Sequence, residues 1–156
     1  MWLYEGKEFT QEDADAFVGN SRTCGFVYLI TNIEDGKKYI GKKNFTKKIT
    51  RNPLKGKKAK RRSYPPSDWL DYVGSNTETM KLKEERGLNL FKREILHLCT
   101  MKGQLNYMEL YEQVTREALL RDDYYNGIIA CRINRSHVTV LKEQYYEMKT
   151  VKEKTS

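Results

Sequence analysis

Long apolar runs are missing: nowhere in the 156 residues does one approach the roughly 18 that a membrane-spanning helix needs. The opening stretch MWLYEGKEFT also lacks the basic-then-apolar layout of a secretory leader, so an intracellular, cytoplasmic protein is expected. Cysteine is scarce. Cys24, Cys99 and Cys131 are odd in number and widely spaced, which gives neither a disulfide framework nor a CxxC zinc cluster and fits a reducing compartment. Histidine is scarcer still, with His97 in an apolar run and His137 beside Arg132 and Arg135, where it could touch phosphate. A zinc site on Cys131 and His137 lacks two further ligands. No internal repeat divides the chain, and its length suits one compact domain.

Positive charge is what the chain has in excess. Its 29 Lys and Arg against 21 Asp and Glu give a net charge of +8, which points to an anionic partner, nucleic acid first and acidic membrane second. Eleven of these cations and no acid fall within residues 42–62, KKNFTKKITRNPLKGKKAKRR. Pro53, Gly56 and the low apolar content predict a loop or short helix that projects from the domain and orders fully on binding. Lys42, Lys47, Lys48, Arg51, Lys57, Lys58, Lys60, Arg61 and Arg62 are the candidate contacts to nucleic-acid phosphates. A solvated basic surface or localisation tag is the alternative, although tags rarely interrupt a domain.

Residues 1–22 read as an N-terminal appendage, with Thr10 capping a short helix that Gly19 ends. GFVYLITNIEDGKKYIG, residues 25–41, then reads as a β-hairpin around Asp35-Gly36. With Glu34 opposite Lys37, Tyr28 faces Lys43 and Asn32 faces Tyr39, so Tyr28, Tyr39, Gly41 and Lys43 share one face. A lysine beside two tyrosines favours the phenolate, and Gly41 leaves room for a substrate backbone. Ordinary cross-strand aromatic packing is the competing reading.

Downstream, SNTETMKLKEERG predicts a polar helix ended by Gly87, and Phe91 to Cys99 a third strand. Helical spacing returns from Gln104 to about Arg121, with Tyr107, Leu110, Tyr111, Val114 and Ala118 as the core stripe. Leu105, Met108 and Leu119 form a narrower second apolar face that encloses Glu112, whereas Glu109 shares its side with Gln113 and Arg116 and reads as solvated. A carboxylate among apolar neighbours needs a partner, either a divalent metal, which suits phosphate chemistry, or an Arg or Lys. The tail is β-like around Ile128 to Val140 and frayed from about Lys149.

"FVY" ending at Tyr28, "YIG" at Tyr39–Gly41, "FKREIL" at 91–96, a glutamate-bearing helix and "YYN" at 124–126 together resemble the GIY-YIG nucleases. The stretch DYVGSN…ERGLNLFKREIL is similar to free-standing, homing-like members carried by phages and mobile elements. The resemblance implies an α/β (α+β) domain with a three-stranded antiparallel sheet flanked by helices, occupying residues 23–128 with the basic insertion at 42–62 and a C-terminal extension at 129–156. It further implies hydrolysis of phosphodiesters in double-stranded DNA with one Mg²⁺ or Mn²⁺, by a monomer or a dimer transient on DNA. Tyr28 then resembles the tyrosine that helps activate water, Tyr39 its partner, Glu112 the metal ligand and Asn126 the asparagine that closes the site; Asn126-Gly127 is otherwise a plain turn.

Phe26 stands where the family has a glycine, and the family's helical arginine falls among Lys47, Lys48, Ile49 and Arg51. Lys43 is the favoured replacement cation, with Lys48 and Arg51 as rivals. A non-catalytic nucleic-acid-binding protein on the same fold is the principal alternative, and an accessory protein docking its basic loop on an acidic partner is the next.

Overall fold

The computed structural model describes residues 1–130, 132, 136 and 139–155. Cys131, Arg135 and His137 lie outside them. In chain order the elements are β1 (Trp2–Tyr4), β2 (Lys7–Phe9), α1 (Gln11–Val18), β3 (Gly25–Asn32), β4 (Lys38–Asn44), β5 (Ile49–Arg51), β6 (Arg61–Ser63), α2 (Thr77–Arg86), β7 (Phe91–Cys99), α3 (Lys102–Thr115) and α4 (Thr139–Thr155).

The expected three strands are present as β7-β3-β4, all antiparallel, but they form part of a five-stranded sheet in the order β2-β1-β7-β3-β4. The two added strands come from the segment read as an appendage, and β1 runs parallel to β7. Trp2 explains why they dock. Its ring is 1% exposed, meets Phe26 and Tyr28 edge-to-face at 5.0 and 5.6 Å, and its Nε1 donates to the Trp69 carbonyl at 2.8 Å. Arg93 on β7, also buried, lies over Trp2 and donates to the Leu70 and Tyr72 carbonyls, which ties the turn at 69–72 to the sheet.

Each sheet face carries its own core. Phe26, Tyr28, Ile30 and Ile95 pack with Trp2, Phe45 and Trp69 on one side, whereas Val27, Leu29, Ile40 and Leu105 pack beneath α3 on the other. The β3–β4 pairing sets Tyr28 opposite Gly41, Ile30 opposite Tyr39 and Phe26 opposite Lys43, two residues away from the expected register. The turn occupies residues 33–36 and closes with an Asn32 N–H to Lys37 carbonyl bond of 2.8 Å. A slip of two keeps every side chain on its expected face, so Tyr28, Tyr39, Gly41 and Lys43 do share one side.

The helices at 11–18 and 77–86 follow their caps. Thr10 and Asp13 form a reciprocal capping box, Asn76 caps α2, and Gly19 and Gly87 end the two helices. Within α3 the expected faces are exchanged: Tyr107, Tyr111 and Val114 are exposed, while Leu105, Glu112 and Gln113 are buried; beyond it Ala118 of the expected stripe is buried and Leu119 of the second face is exposed. The helix also stops at Thr115 rather than near Arg121. The basic segment is neither a bare loop nor a helix. Residues 49–51 and 61–63 pair as a two-stranded ribbon, its base fastened by a Thr46–Pro66 bridge, with residues 52–60 at the tip. The end expected to fray from about Lys149 is helical in α4, and much of the stretch expected to be β-like, Ile128 to Val140, lies outside the described residues.

Candidate active site

The β4 edge is where the candidate residues gather. Among the described residues no further strand of the sheet pairs with its outer side; instead the chain returns there at 123–126, with Lys38 N–H donating to the Asp123 carbonyl at 2.9 Å and Tyr125 N–H to the Lys38 carbonyl at 2.7 Å. Asn126 completes this contact through its side chain. Its Oδ1 accepts from the Ile40 N–H at 2.9 Å and its Nδ2 donates to the Ile40 carbonyl at 2.8 Å, an amide imitating a strand neighbour. It is therefore more than a plain turn residue: it fixes the backbone between Tyr39 and Gly41.

Tyr28 and Tyr39 lie with ring centroids 6.2 Å apart, in different surroundings. Tyr28 is 1% exposed, and burial pushes its phenol well above the usual tyrosine range, with the neighbouring Tyr72 and Tyr39 acting in the same direction. The phenolate expected from a nearby lysine is not what this environment favours. The space at Gly41 is also already filled, because a Cβ there would meet the Tyr28 ring, with Cζ at 2.7 Å. Tyr39 is only partly buried and borders open space; its hydroxyl lies 3.3 Å from Ser75 Oγ, and its ring crosses Gly74, where a Cβ would stand 2.6 Å from Cε1.

Tyr72, which sequence reasoning did not single out, links these groups. Its ring meets that of Tyr28 edge-to-face with centroids 5.9 Å apart, and burial raises its phenol above the ordinary value against the opposing influence of the Tyr28 and Ser75 hydroxyls. Lys43 Nζ sits 3.9 Å from the Tyr72 ring centroid and donates to Asp68 Oδ1 at 2.6 Å. Lys43 is thus on the tyrosine side of the sheet, over Tyr72 rather than opposite Tyr28.

Glu112 is not brought to this group. Its Oε1 bonds His97 Nε2 and its Oε2 accepts from Arg116 Nε, both at 2.6 Å, in the core between α3 and β7. Burial alone would raise its carboxyl, but the bonds from Arg116 and His97 outweigh that and hold it below the usual carboxylate range. A register shift in β7 against β3 makes the contact possible: His97 pairs with Val27 and Ile95 with Tyr28, so Leu96 and His97 both turn towards α3. Of the two partners weighed for Glu112, the structure shows the basic side chain.

The carboxylate of α3 that does reach the β4 edge is Glu109, one helical turn earlier. It lines a cavity of about 470 Å³ with Tyr39, Lys42, Ser75, Gln113 and Asn126, and its Oε2 lies 2.8 Å from Lys42 Nζ. Its helical neighbours gave no sign of this, because the edge is assembled by the returning 123–126 segment. As a metal holder the arrangement fits Mg²⁺ or Mn²⁺: oxygen donors around one carboxylate, with room for several waters, is what Mg²⁺ takes. Among the described residues no cluster of three or more His, Cys, Asp or Glu side chains forms a closed metal cage.

A second cavity, of about 340 Å³, adjoins the first and is lined by Lys42, Lys43, Lys47, Lys48 and Lys102 with Asp68. Arg51, Lys57, Lys58, Lys60, Arg61 and Arg62 are exposed on the ribbon beyond it. Among the described residues no helix is long and apolar enough to cross a membrane.

Comparison with known proteins gives two matches of the same kind. The family model described as "Putative endonuclease segE, GIY-YIG domain" matches residues 2–129, which includes the two N-terminal strands. A curated relative from Enterobacteria phage T4, described as "Putative endonuclease segD", is 29% identical over 129 residues, covering 82% of this chain and 48% of the relative. The chain thus spans about half the length of the relative it matches. No solved structure matches.

Proposed function

The chain belongs to the GIY-YIG endonuclease family, and on that premise we propose that it is a metal-dependent DNA endonuclease of the phage type whose reaction centre is the β4 edge around Tyr39, Glu109 and Asn126. One observation carries the reading: Glu109, Tyr39 and the Asn126-clamped backbone of β4 border a single open cavity that a lysine-lined cavity adjoins. Glu109 would hold Mg²⁺ or Mn²⁺, which supplies Lewis acidity to a phosphoryl oxygen and acidity to water.

The chain's own groups supply the rest. Tyr39, the accessible tyrosine, holds the attacking water through its hydroxyl, which Ser75 orients. Tyr28 stays protonated and supports Tyr72 from behind through its ring; it positions and does not take a proton. Asn126 keeps Tyr39 in place through Ile40. Lys43, held by Asp68 over Tyr72, and the neighbouring lysines offset the charge that develops on the phosphate. The ribbon grips duplex backbone phosphates, which gives affinity and salt dependence without sequence information.

Supercoiled plasmid incubated with Mg²⁺, with Mn²⁺ and with EDTA tests the proposal. Metal-dependent nicking or linearisation supports it. Salt-sensitive binding without cleavage in either metal would transfer the assignment to a non-catalytic DNA-binding protein.

A further inference from the structure

Lys42 stands at the junction of the two cavities. Among the described residues it is the one side chain that lines both the Glu109 cavity and the lysine cavity. Its Nζ pairs with Glu109 Oε2 at 2.8 Å, with the lysine side chain 35% and the glutamate 17% exposed, so the pair sits at the cavity mouth. An ammonium group therefore occupies the electrostatic position that a divalent cation needs. The two cannot share it, because a divalent ion on that carboxylate would stand within a few ångströms of a like charge.

We infer that Lys42 is the exchangeable cation of the site: it neutralises Glu109 in the free protein and transfers to a substrate phosphate oxygen when metal takes the carboxylate. The inference rests on the reading of Glu109 as the metal-holding residue. Because β4 is the sheet's edge and Lys42 borders both cavities, the exchange needs only rotation about side-chain bonds. The lysine is repelled from Glu109 by the metal and drawn to the phosphate, so metal and DNA each favour the binding of the other. Lys42 thereby supplies, from the strand, a cation at the reacting phosphate.

The test is Mn²⁺ binding to the full chain without DNA, read from the loss of the free-ion electron paramagnetic resonance signal, for the wild type, K42M, K42R and E109Q. K42M keeps the length of the side chain and removes its charge, so it should bind Mn²⁺ more tightly, on the order of fivefold, the loss of one partly exposed ion pair. K42R, which restores the charge, should return towards the wild type, and E109Q should lose the site. Equal or weaker Mn²⁺ binding by K42M than by wild type, with E109Q still abolishing binding, overturns the exchange and leaves the Glu109 reading standing. Mn²⁺ binding that E109Q does not change, or none by any of the four proteins, overturns both.

Discussion

Glu109 and Glu112 lie one helical turn apart on α3 and are held by different elements: Glu109 by Lys42 of the edge strand at 2.8 Å, Glu112 by His97 of β7 and Arg116 of its own helix at 2.6 Å each. The first pair opens on a cavity, and the second closes a core. On the proposed function, stability and chemistry are divided between these neighbouring carboxylates.

Replacing Glu112 is expected to cost stability. Glu112→Gln leaves Arg116 and His97 without their carboxylate, a loss of about 1–3 kcal/mol, read as a lowered midpoint in urea. The pH dependence has a fixed sign. Because the folded carboxyl is held below its ordinary value of 4.5, its contribution is present above that value and is lost as pH falls through the folded one. Wild type should therefore lose stability on acidification below about pH 4.5 more steeply than Glu112→Gln. Parallel curves would contradict the assignment.

Two glycines mark where tyrosine rings lie against the backbone. Gly41→Ala forces a methyl group into the Tyr28 ring, and Gly74→Ala adds to a similar clash with Tyr39 a backbone φ of +94° that side chains rarely adopt. Each should cost about 1–3 kcal/mol. Calorimetry that finds either variant as stable as wild type would remove the ring-over-glycine account.

Tyr28 should set the height of the pH–rate profile and not its shape. Since its phenol is pushed above the ordinary range, Tyr28→Phe, which keeps the ring packed on Tyr72 and removes only a buried hydroxyl, lowers the rate modestly while the profile keeps its inflections. An inflection lost in Tyr28→Phe would identify Tyr28 as the titrating group.

The ribbon predicts a salt effect. Alanine at Lys57, Lys58 and Lys60 should reduce the slope of log affinity against log salt by about 2 to 3 if all three meet phosphates, at roughly 0.9 per contact. Fluorescence anisotropy with a short duplex measures it. An unchanged slope would place the DNA elsewhere.

The sequence carried much of the frame through parity and punctuation. The tyrosines converged in spite of a misplaced register because the error was even, and Gly87 ended α2 where its backbone conformation required. Glu109 was hidden because helical periodicity ranks faces by apolar content, whereas α3 buries Glu112 and Gln113 against polar partners and exposes Tyr107 and Tyr111. The register shift that turns His97 towards Glu112 leaves no periodic trace. Trp2 belongs to the sheet by an aromatic contact with residues far along the chain, which no local pattern near the N-terminus reveals.

Mg²⁺-dependent plasmid cleavage by Glu109→Gln beside Glu112→Gln, at a temperature where both remain folded and with duplex binding measured in parallel, tests the site most directly. The account predicts that Glu109→Gln binds DNA and loses cleavage by at least about 100-fold, while Glu112→Gln cuts within about tenfold of wild type. A folded Glu112→Gln that binds but does not cut, beside a Glu109→Gln that still does, would contradict it.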